Sequence, residues 1–353
     1  MTARWIPLDE NDAAALARLG WAVPAEPEWA LLGLEAGAAT VPGAVALRLD
    51  VVPHLVWWAG PAERLRRWAK ANGLAPVVRW ETTWRTGYGP VLCGARTALV
   101  GVVNVTPDSF SDGGRYLDPD RAVRHARRLA RAGADWIDVG AESTRPGHTP
   151  VAPDEEWRRL EPVLRQWANR PPARLMVDTR HPETASAALR MGVGALNDVS
   201  ALADPAWLDV LRASEAGYVL MFNRDEPWPE GDADWGEVLA GLYERLARLA
   251  GLPGGLERVV VDPGLGFAWT GRDNLRALAR VGLLRLFDRP VLVGPSRKRF
   301  VGAVTGRAVG RRDVGSAVAG ALAAARGADL LRLHNVGAGR DAARVADAVA
   351  RYA

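Results

Sequence analysis

"DRAVRHARRLARAGADWIDVG", residues 120–140, holds the unit from which the architecture is read. Its first part has the pattern of an amphipathic helix, over 119–132, with arginines on the solvated face. Gly133 ends that helix. "DWIDVG" (135–140) then reads as a short strand. The unit recurs from residue 98 onward. Strands are expected at 98–103, 135–140, 174–178, 194–198, 217–222, 258–262, 290–294 and 330–334. Helices are expected at 119–132, 153–168, 182–191, 205–214, 235–250, 272–281, 312–326 and 339–351. Eight strand–helix pairs over this length predict an α/β fold, a (β/α)8 barrel, with an open doubly wound sheet as the structural alternative.

Residues 1–95 break the rhythm. "GAVALRLDVV", "AERLRRWAKANG" and "APVVRW" read as strand, helix, strand, followed by "RTGYGPVLCGAR" leading into the barrel. We expect a small α/β extension over 1–95, of unread role, serving as a cover for the N-terminal end of a barrel spanning 96–353.

Composition narrows the classes. The chain has 353 residues, 48% of them hydrophobic, with a net charge of +4. No apolar run is long enough to span a bilayer, and no signal peptide opens the chain, so a cytoplasmic protein without a membrane partner is expected. A single cysteine, Cys93, excludes an intrachain disulfide and a cysteine zinc site. The arginines alternate with acids along helices, so nucleic acid is not expected as a partner; a small anionic substrate is. Of 45 basic residues only Lys70 and Lys298 are lysine. A lysine kept against that bias, in "GPSRKRF", points to a role that arginine does not fill.

Barrel chemistry sits at the C-terminal ends of the strands. Those ends carry Asn104, "AESTRPG" (141–147), Asp178, Asn197 with Asp198, "NRDEP" (223–227), Asp262 before "PGLGFAW", "GPSRKRF" and Arg332 with His334. Taken singly, each has a plain structural use: an aspartate caps a helix, Asn-Asp makes a turn. Taken together they form a set. Asp178 and Asp262 offer acceptors; Lys298 and Asn197 offer donors, as needed to read the edge of a flat heterocycle. Arg332 suits its face. Asn104, Thr144, Arg145, Arg332 and His334 suit phosphate oxygens. No nucleophile stands out, so the chemistry implied is positioning and stabilisation of a leaving anion.

These residues lie in motifs. "NVTPDSFSDGG" (104–114), "GAESTRPG" (140–147), "VDT" (177–179), "NDVS" (197–200), "DPGLGF" (262–267), "SRKRF" (296–300) and "RLHNV" (332–336) occur in one order over about residues 97–352. In this the chain resembles the dihydropteroate synthases of the pterin-binding barrel superfamily. The resemblance implies condensation of 7,8-dihydropterin-6-ylmethyl diphosphate with p-aminobenzoate, giving 7,8-dihydropteroate and pyrophosphate, in folate biosynthesis. It implies pterin contacts from Asp178, Asn197, Met221, Asp262, Gly266, Lys298 and Arg332. It implies diphosphate contacts from Asn104, Thr144, Arg145, Arg332 and His334, with Asn104 also holding Mg²⁺. Phe110, Thr144, Pro146, Phe267 and Arg299 are implied at the p-aminobenzoate pocket. Lys298, Arg332, His334 and Asp178 are the implied catalytic set. Homodimers and sulfonamide targets are common in that family.

Four positions depart from the family. Phe222 and Asn223 follow Met221 where His-Met is usual, so the pocket floor is expected to differ there. Arg299 replaces a small hydroxyl residue and is expected to point to solvent or to pair with the aminobenzoate carboxylate. Trp269 replaces a Lys or Thr. Two competing readings share the fold: a methyltetrahydrofolate-dependent methyltransferase, which does not need the diphosphate loops, and a catalytically inactive pterin-binding barrel, which would have lost the anion residues.

Overall fold

A computed structural model describes residues 2–9, 12–23, 28–77, 79–106, 119–142, 150–168 and 170–351, with backbone alone at 75 and 76. The first strands, β1 (Thr2–Pro7), β2 (Trp29–Glu35), β3 (Val45–Leu47), β4 (Leu55–Pro61) and β5 (Ala75–Val77), form one sheet in the order β3-β4-β2-β1-β5. β1 runs antiparallel to β2 and parallel to β5. Helix α1 (Asp12–Ala17) follows β1, and α2 (Ala62–Ala71) follows β4. α2 buries Leu65 and Ala69 against Trp5, Ala30 and Leu32 of the sheet. The sequence had announced α2, part of β3 and β5, but not β1, β2 or β4. β2 and β4 are buried on both faces, so they carry no alternation to read.

The sheet docks on the barrel through polar contacts around one buried carboxylate. Arg4, His54 and the Trp80 indole all reach Asp288, and the Trp57 indole donates to Leu286 O at 3.2 Å. A hairpin, β6 (Thr82–Thr86) and β7 (Gly89–Cys93), comes next. Trp84 on β6 is fully buried and donates to Arg258 O at 2.8 Å. Its ring lies 4.8 Å from that of Trp136. A Cβ on Gly217 would fall 2.8 Å from the Trp84 indole, so that glycine makes the space. Gly194 does the same for the Tyr88 ring, and the Tyr88 hydroxyl donates to Gly192 O at 2.8 Å. All these positions are N-terminal ends of barrel strands. The hairpin therefore closes that end and leaves the other open.

The barrel strands are β8 (Ala98–Asn104), β9 (Trp136–Gly140), β10 (Arg174–Asp178), β11 (Ala195–Asp198), β12 (Gly217–Met221), β13 (Val259–Asp262), β14 (Leu292–Val293) and β15 (Leu330–Leu333). They form one parallel sheet in the order β13-β12-β11-β10-β9-β8-β15-β14. A parallel bridge between Val261 and Val291 closes it. This is the expected (β/α)8 barrel. The helices are α3 (Pro119–Ala132), α4 (Pro153–Trp167), α5 (Pro182–Arg190), α6 (Ala206–Arg212), α7 (Trp235–Ala250), α8 (Asp273–Arg280), α10 (Asp313–Ala325) and α11 (Val336–Ala350). One further helix, α9 (Arg299–Thr305), lies between β14 and α10 and was not anticipated. Its sequence, "RFVGAVT", is too short to show a helical period.

Strand side chains alternate faces, which fixes what points inward. Val100, Trp136, Met176, Ala195, Val219, Val260, Leu292 and Leu330 form one buried layer with Trp84. Two residues further along each strand, the same phase delivers Val102, Asp138, Asp178, Asn197, Met221, Asp262, Gly294 and Arg332. The interior is therefore apolar below and charged above.

Candidate active site

The charged layer is organised around Arg332. Its Nε donates to Asp138 Oδ2 at 2.5 Å and its Nη2 to Asp178 Oδ2 at 2.5 Å. Asn197 Nδ2 donates to the same Asp138 oxygen at 3.1 Å. Four strands, β9, β10, β11 and β15, are thus tied together across the barrel mouth. Asp178 Oδ1 and Asp138 Oδ1 are buried with no hydrogen-bond partner among the described residues. A buried carboxylate oxygen left without a donor is costly unless a ligand supplies one. Burial pushes the Asp178 carboxyl up to about 7; Arg332 opposes this, while Asp138, Glu156 and Glu142 add to it. Burial also disfavours the charge on Arg332, but Asp138 and Asp178 outweigh it and hold the guanidinium protonated.

Lys298 and Asp262 form the second half. Lys298 stands at the N-cap position of α9 without capping it by its side chain; its ammonium donates to Leu265 O and lies 4.9 Å from the centre of the Phe267 ring. Burial brings the ammonium down to about 8, against the pull of Asp262. Burial likewise raises the Asp262 carboxyl, and Lys298 and the Gly264 N–H oppose the rise; Gly264 N donates to Asp262 Oδ1 at 2.7 Å. The loop after β13 needs glycines. Gly264 has φ +70°, and a Cβ there would strike Phe222 O at 2.0 Å; Gly266 has φ +76°, and its Cβ would lie 2.8 Å from Lys298 Cδ. Both the backbone conformation and the space exclude a side chain.

Six of the sequence-derived pterin residues, Asp178, Asn197, Met221, Asp262, Lys298 and Arg332, therefore belong to one mouth, with Gly266 against Lys298. Asn197 does more than donate to a ligand: one amide N–H faces Asp138, and the amide oxygen is turned away from that carboxylate, with the second N–H still to spare. His334 follows β15, its ring Nδ1 2.9 Å from Ser296 Oγ, which also accepts from His334 N at 3.0 Å. Asn104 ends β8 beside Gly140 of β9. Arg299 is exposed at the start of α9. Phe110, Thr144, Arg145 and Pro146 lie outside the described residues.

Of the departures after β12, Phe222 lies off the pocket. Met221 points inward; Phe222 points outward and stacks on Trp228 at 5.7 Å and 9°. Asn223 is spent on the backbone, donating to Val199 O at 2.9 Å and accepting from Arg224 N at 2.9 Å. The pocket floor is therefore not altered by Phe222. Trp269 is buried, donating to Pro263 O at 2.7 Å, and it packs against Trp228 and Trp235. Asp138 was missed by reading only strand ends. Its signal was present in "DWIDVG": an aspartate in phase with Trp136, on the inward face.

A parallel barrel with acceptors and cations gathered at its C-terminal mouth defines the class: a barrel whose open end carries the charged site. Residues 100–334 match the family described as "Pterin binding enzyme". The chain is 40% identical to dihydropteroate synthase of Mycobacterium leprae, over 72% of this chain and 94% of that protein. It is 43% identical to a probable bifunctional folylpolyglutamate synthase/dihydropteroate synthase of Halobacterium salinarum, over 72% of this chain but only 32% of that longer protein. The chain spans about half, 53%, of the folate synthesis bifunctional protein, mitochondrial, of Pisum sativum, at 37% identity. A solved dihydropteroate synthase of Xanthomonas albilineans with 4-aminobenzoic acid superposes with a TM-score of 0.70 at 42% identity, covering 76% of this chain and 98% of that one. The chain belongs to the dihydropteroate synthase family.

Proposed function

We infer that the protein condenses 7,8-dihydropterin-6-ylmethyl diphosphate with p-aminobenzoate, releasing pyrophosphate and forming 7,8-dihydropteroate. The observation that carries this reading is the buried Asp178 Oδ1, without a hydrogen-bond partner among the described residues, in a mouth shared with Asp262, Lys298 and Arg332. That arrangement suits a ring whose amine and N–H edge meets carboxylates and whose carbonyl edge meets an ammonium. The similarity to the dihydropteroate synthase of Mycobacterium leprae, over 94% of that protein, supports the reaction.

The residues act by holding, not by attacking. Asp178 and Asp262 accept from the ring edge; Lys298 donates to its opposite edge. Arg332 lies beneath the reacting methylene and stabilises the diphosphate as the C–O bond breaks. The electron-poor methylene that results is attacked by the arylamine, so no protein nucleophile is required. His334, oriented by Ser296, and Asn104 stand at the diphosphate side. Mg²⁺ prefers oxygen ligands and keeps several places for substrate phosphates. Among the described residues no cluster of three or more His, Cys, Asp or Glu side chains could hold a metal by itself. Asn104 would offer its amide oxygen to the ion, and the ion would supply neutralisation of leaving-group charge.

A second copy of the chain is the proposed partner. α10 exposes Val314, Val318 and Leu322, four residues apart on one face, and neighbouring α11 exposes Val345 and Val349. No described helix is long and apolar enough to cross a membrane.

The deciding experiment is pyrophosphate release. It should require both substrates and Mg²⁺. Release from neither would favour an inactive barrel, and methyl transfer from methyltetrahydrofolate would favour the methyltransferase reading.

A further inference from the structure

We propose that Asp138 is the positioning residue of this site: it sets the orientation of both Arg332 and Asn197, and so decides which hydrogen-bonding face each presents to the pterin. The inference rests on the synthase reading above.

Asp138 sits on β9 one inward position below the strand end and is fully buried. A buried carboxylate is retained only where charges and donors satisfy it. Its Oδ2 receives Arg332 Nε at 2.5 Å and Asn197 Nδ2 at 3.1 Å. Each bond has a consequence. Arg332 has its Nε edge occupied by Asp138 and its Nη2 by Asp178. The guanidinium plane is therefore fixed by two carboxylates from adjacent strands, and the remaining N–H groups are left for an anion. A guanidinium held by one carboxylate would turn about that bond. For Asn197, the acceptor-only carboxylate forces the N–H₂ end toward Asp138 and the amide oxygen away from it. Without Asp138 the amide is free to flip, and an acceptor for a ring N–H becomes a donor. Specificity for a ring with N–H on that edge follows from this fixed sense.

Asp138 has a second effect, through charge. It lies beside Asp178, whose carboxyl faces Arg332 from β15, Asp138 from β9, Glu142 from the segment after β9 and Glu156 from α4. Asp138 is one of the like charges that resist ionisation of Asp178.

The test is Asp138→Asn, which keeps shape and removes charge and the forced amide sense. The KM for the pterin diphosphate should rise about tenfold or more, while the KM for p-aminobenzoate should stay within about twofold. The acid limb of kcat/KM should move to lower pH, since removing a like charge eases ionisation of Asp178. A merely structural role would lower the yield of active enzyme without splitting the two KM values or moving that limb. Wild-type pterin KM with an unmoved acid limb would overturn the proposal. Asp138→Ser, smaller and neutral, is the second variant, read by calorimetry with 7,8-dihydropterin-6-ylmethyl diphosphate alone. Weakened binding supports the assignment; wild-type affinity sinks it. The same calorimetry separates the two readings. Wild-type binding without pyrophosphate release would end the synthase reading while leaving the role of Asp138 measurable.

Discussion

Gly266 lies directly against the Lys298 side chain: a Cβ on Gly266 would sit 2.8 Å from Lys298 Cδ. The absence of a side chain at one residue thus fixes the path of the other toward Leu265 O and Phe267. Gly266→Ala is strained twice, by the contact and by its φ of +76°. It should leave the barrel folded and reduce kcat/KM for the pterin substrate by about 10- to 100-fold, because displacement of a positioned group by a fraction of an ångström is costly. Lys298→Arg should lose most activity for a related reason: a planar guanidinium does not fit where a compact ammonium meets a carbonyl. Steady-state kinetics with wild-type-like values for either variant would refute the placement of Lys298.

The pH profile of kcat/KM should be bell-shaped. Asp178, raised to about 7 by burial, must be ionised to accept from the ring, so activity rises through that pH. Lys298, lowered to about 8 by burial, must be protonated to donate, so activity falls above it. Stability follows the opposite logic. The folded state holds the Asp178 proton longer than the unfolded chain, so this group's contribution falls as pH rises through about 7. The unfolded chain protonates Lys298 before the folded state does, so its contribution rises as pH climbs through about 8 toward the ordinary lysine value of 10.5. A flat profile between pH 6 and 9 would contradict the ionisation states assigned to the pair.

Asn104→Ala should weaken the diphosphate substrate chiefly when Mg²⁺ is present. With the ion removed by a chelator, wild type and variant should bind it alike. Calorimetry in the two conditions checks this. An equal loss in both would assign Asn104 to the strand rather than to the ion.

Trp84→Ala should destabilise the protein by about 3–5 kcal/mol, the range for deleting a fully buried tryptophan. The cavity would open at the end of the barrel opposite the active site. Thermal melting should drop while KM values for both substrates stay near wild type in the folded fraction. An unchanged melting temperature would show that the hairpin is not part of the core.

For the proposed pairing of two copies, Val318→Glu, on the exposed apolar face of α10, should leave a monomer without loss of folded structure where the unaltered chain has the mass of a dimer. Light scattering reads the mass. An unchanged mass would remove this face as the contact between copies.

Much of the site was legible because barrel chemistry lies at strand ends, and short strands followed by helices mark those ends in the sequence. Asp178, Asn197, Asp262 and Arg332 were found that way, and Lys298 through its rarity among arginines. What lay deeper was hidden. Asp138 is mid-strand, and nothing local shows that β11 and β15 send donors to it. The pocket floor was expected to differ at Phe222 because that residue departs from the family, yet it is adjacent to Met221, and adjacent strand positions face opposite ways.

Sequence alone determined the α/β class, the eight repeats, the motifs and the residue types at the barrel mouth, since these depend on local period and order. Tertiary structure alone decided which groups satisfy one another. The closure of the barrel brings β9, β10, β11 and β15 to one centre, and there Asp138 turns Asn197 and fixes Arg332. It also decided that the hairpin following the first sheet plugs the barrel's N-terminal end through Trp84. Both are contacts between residues far apart in the chain, set by the shape of the closed sheet and by the cost of leaving buried carboxylates and indoles without partners.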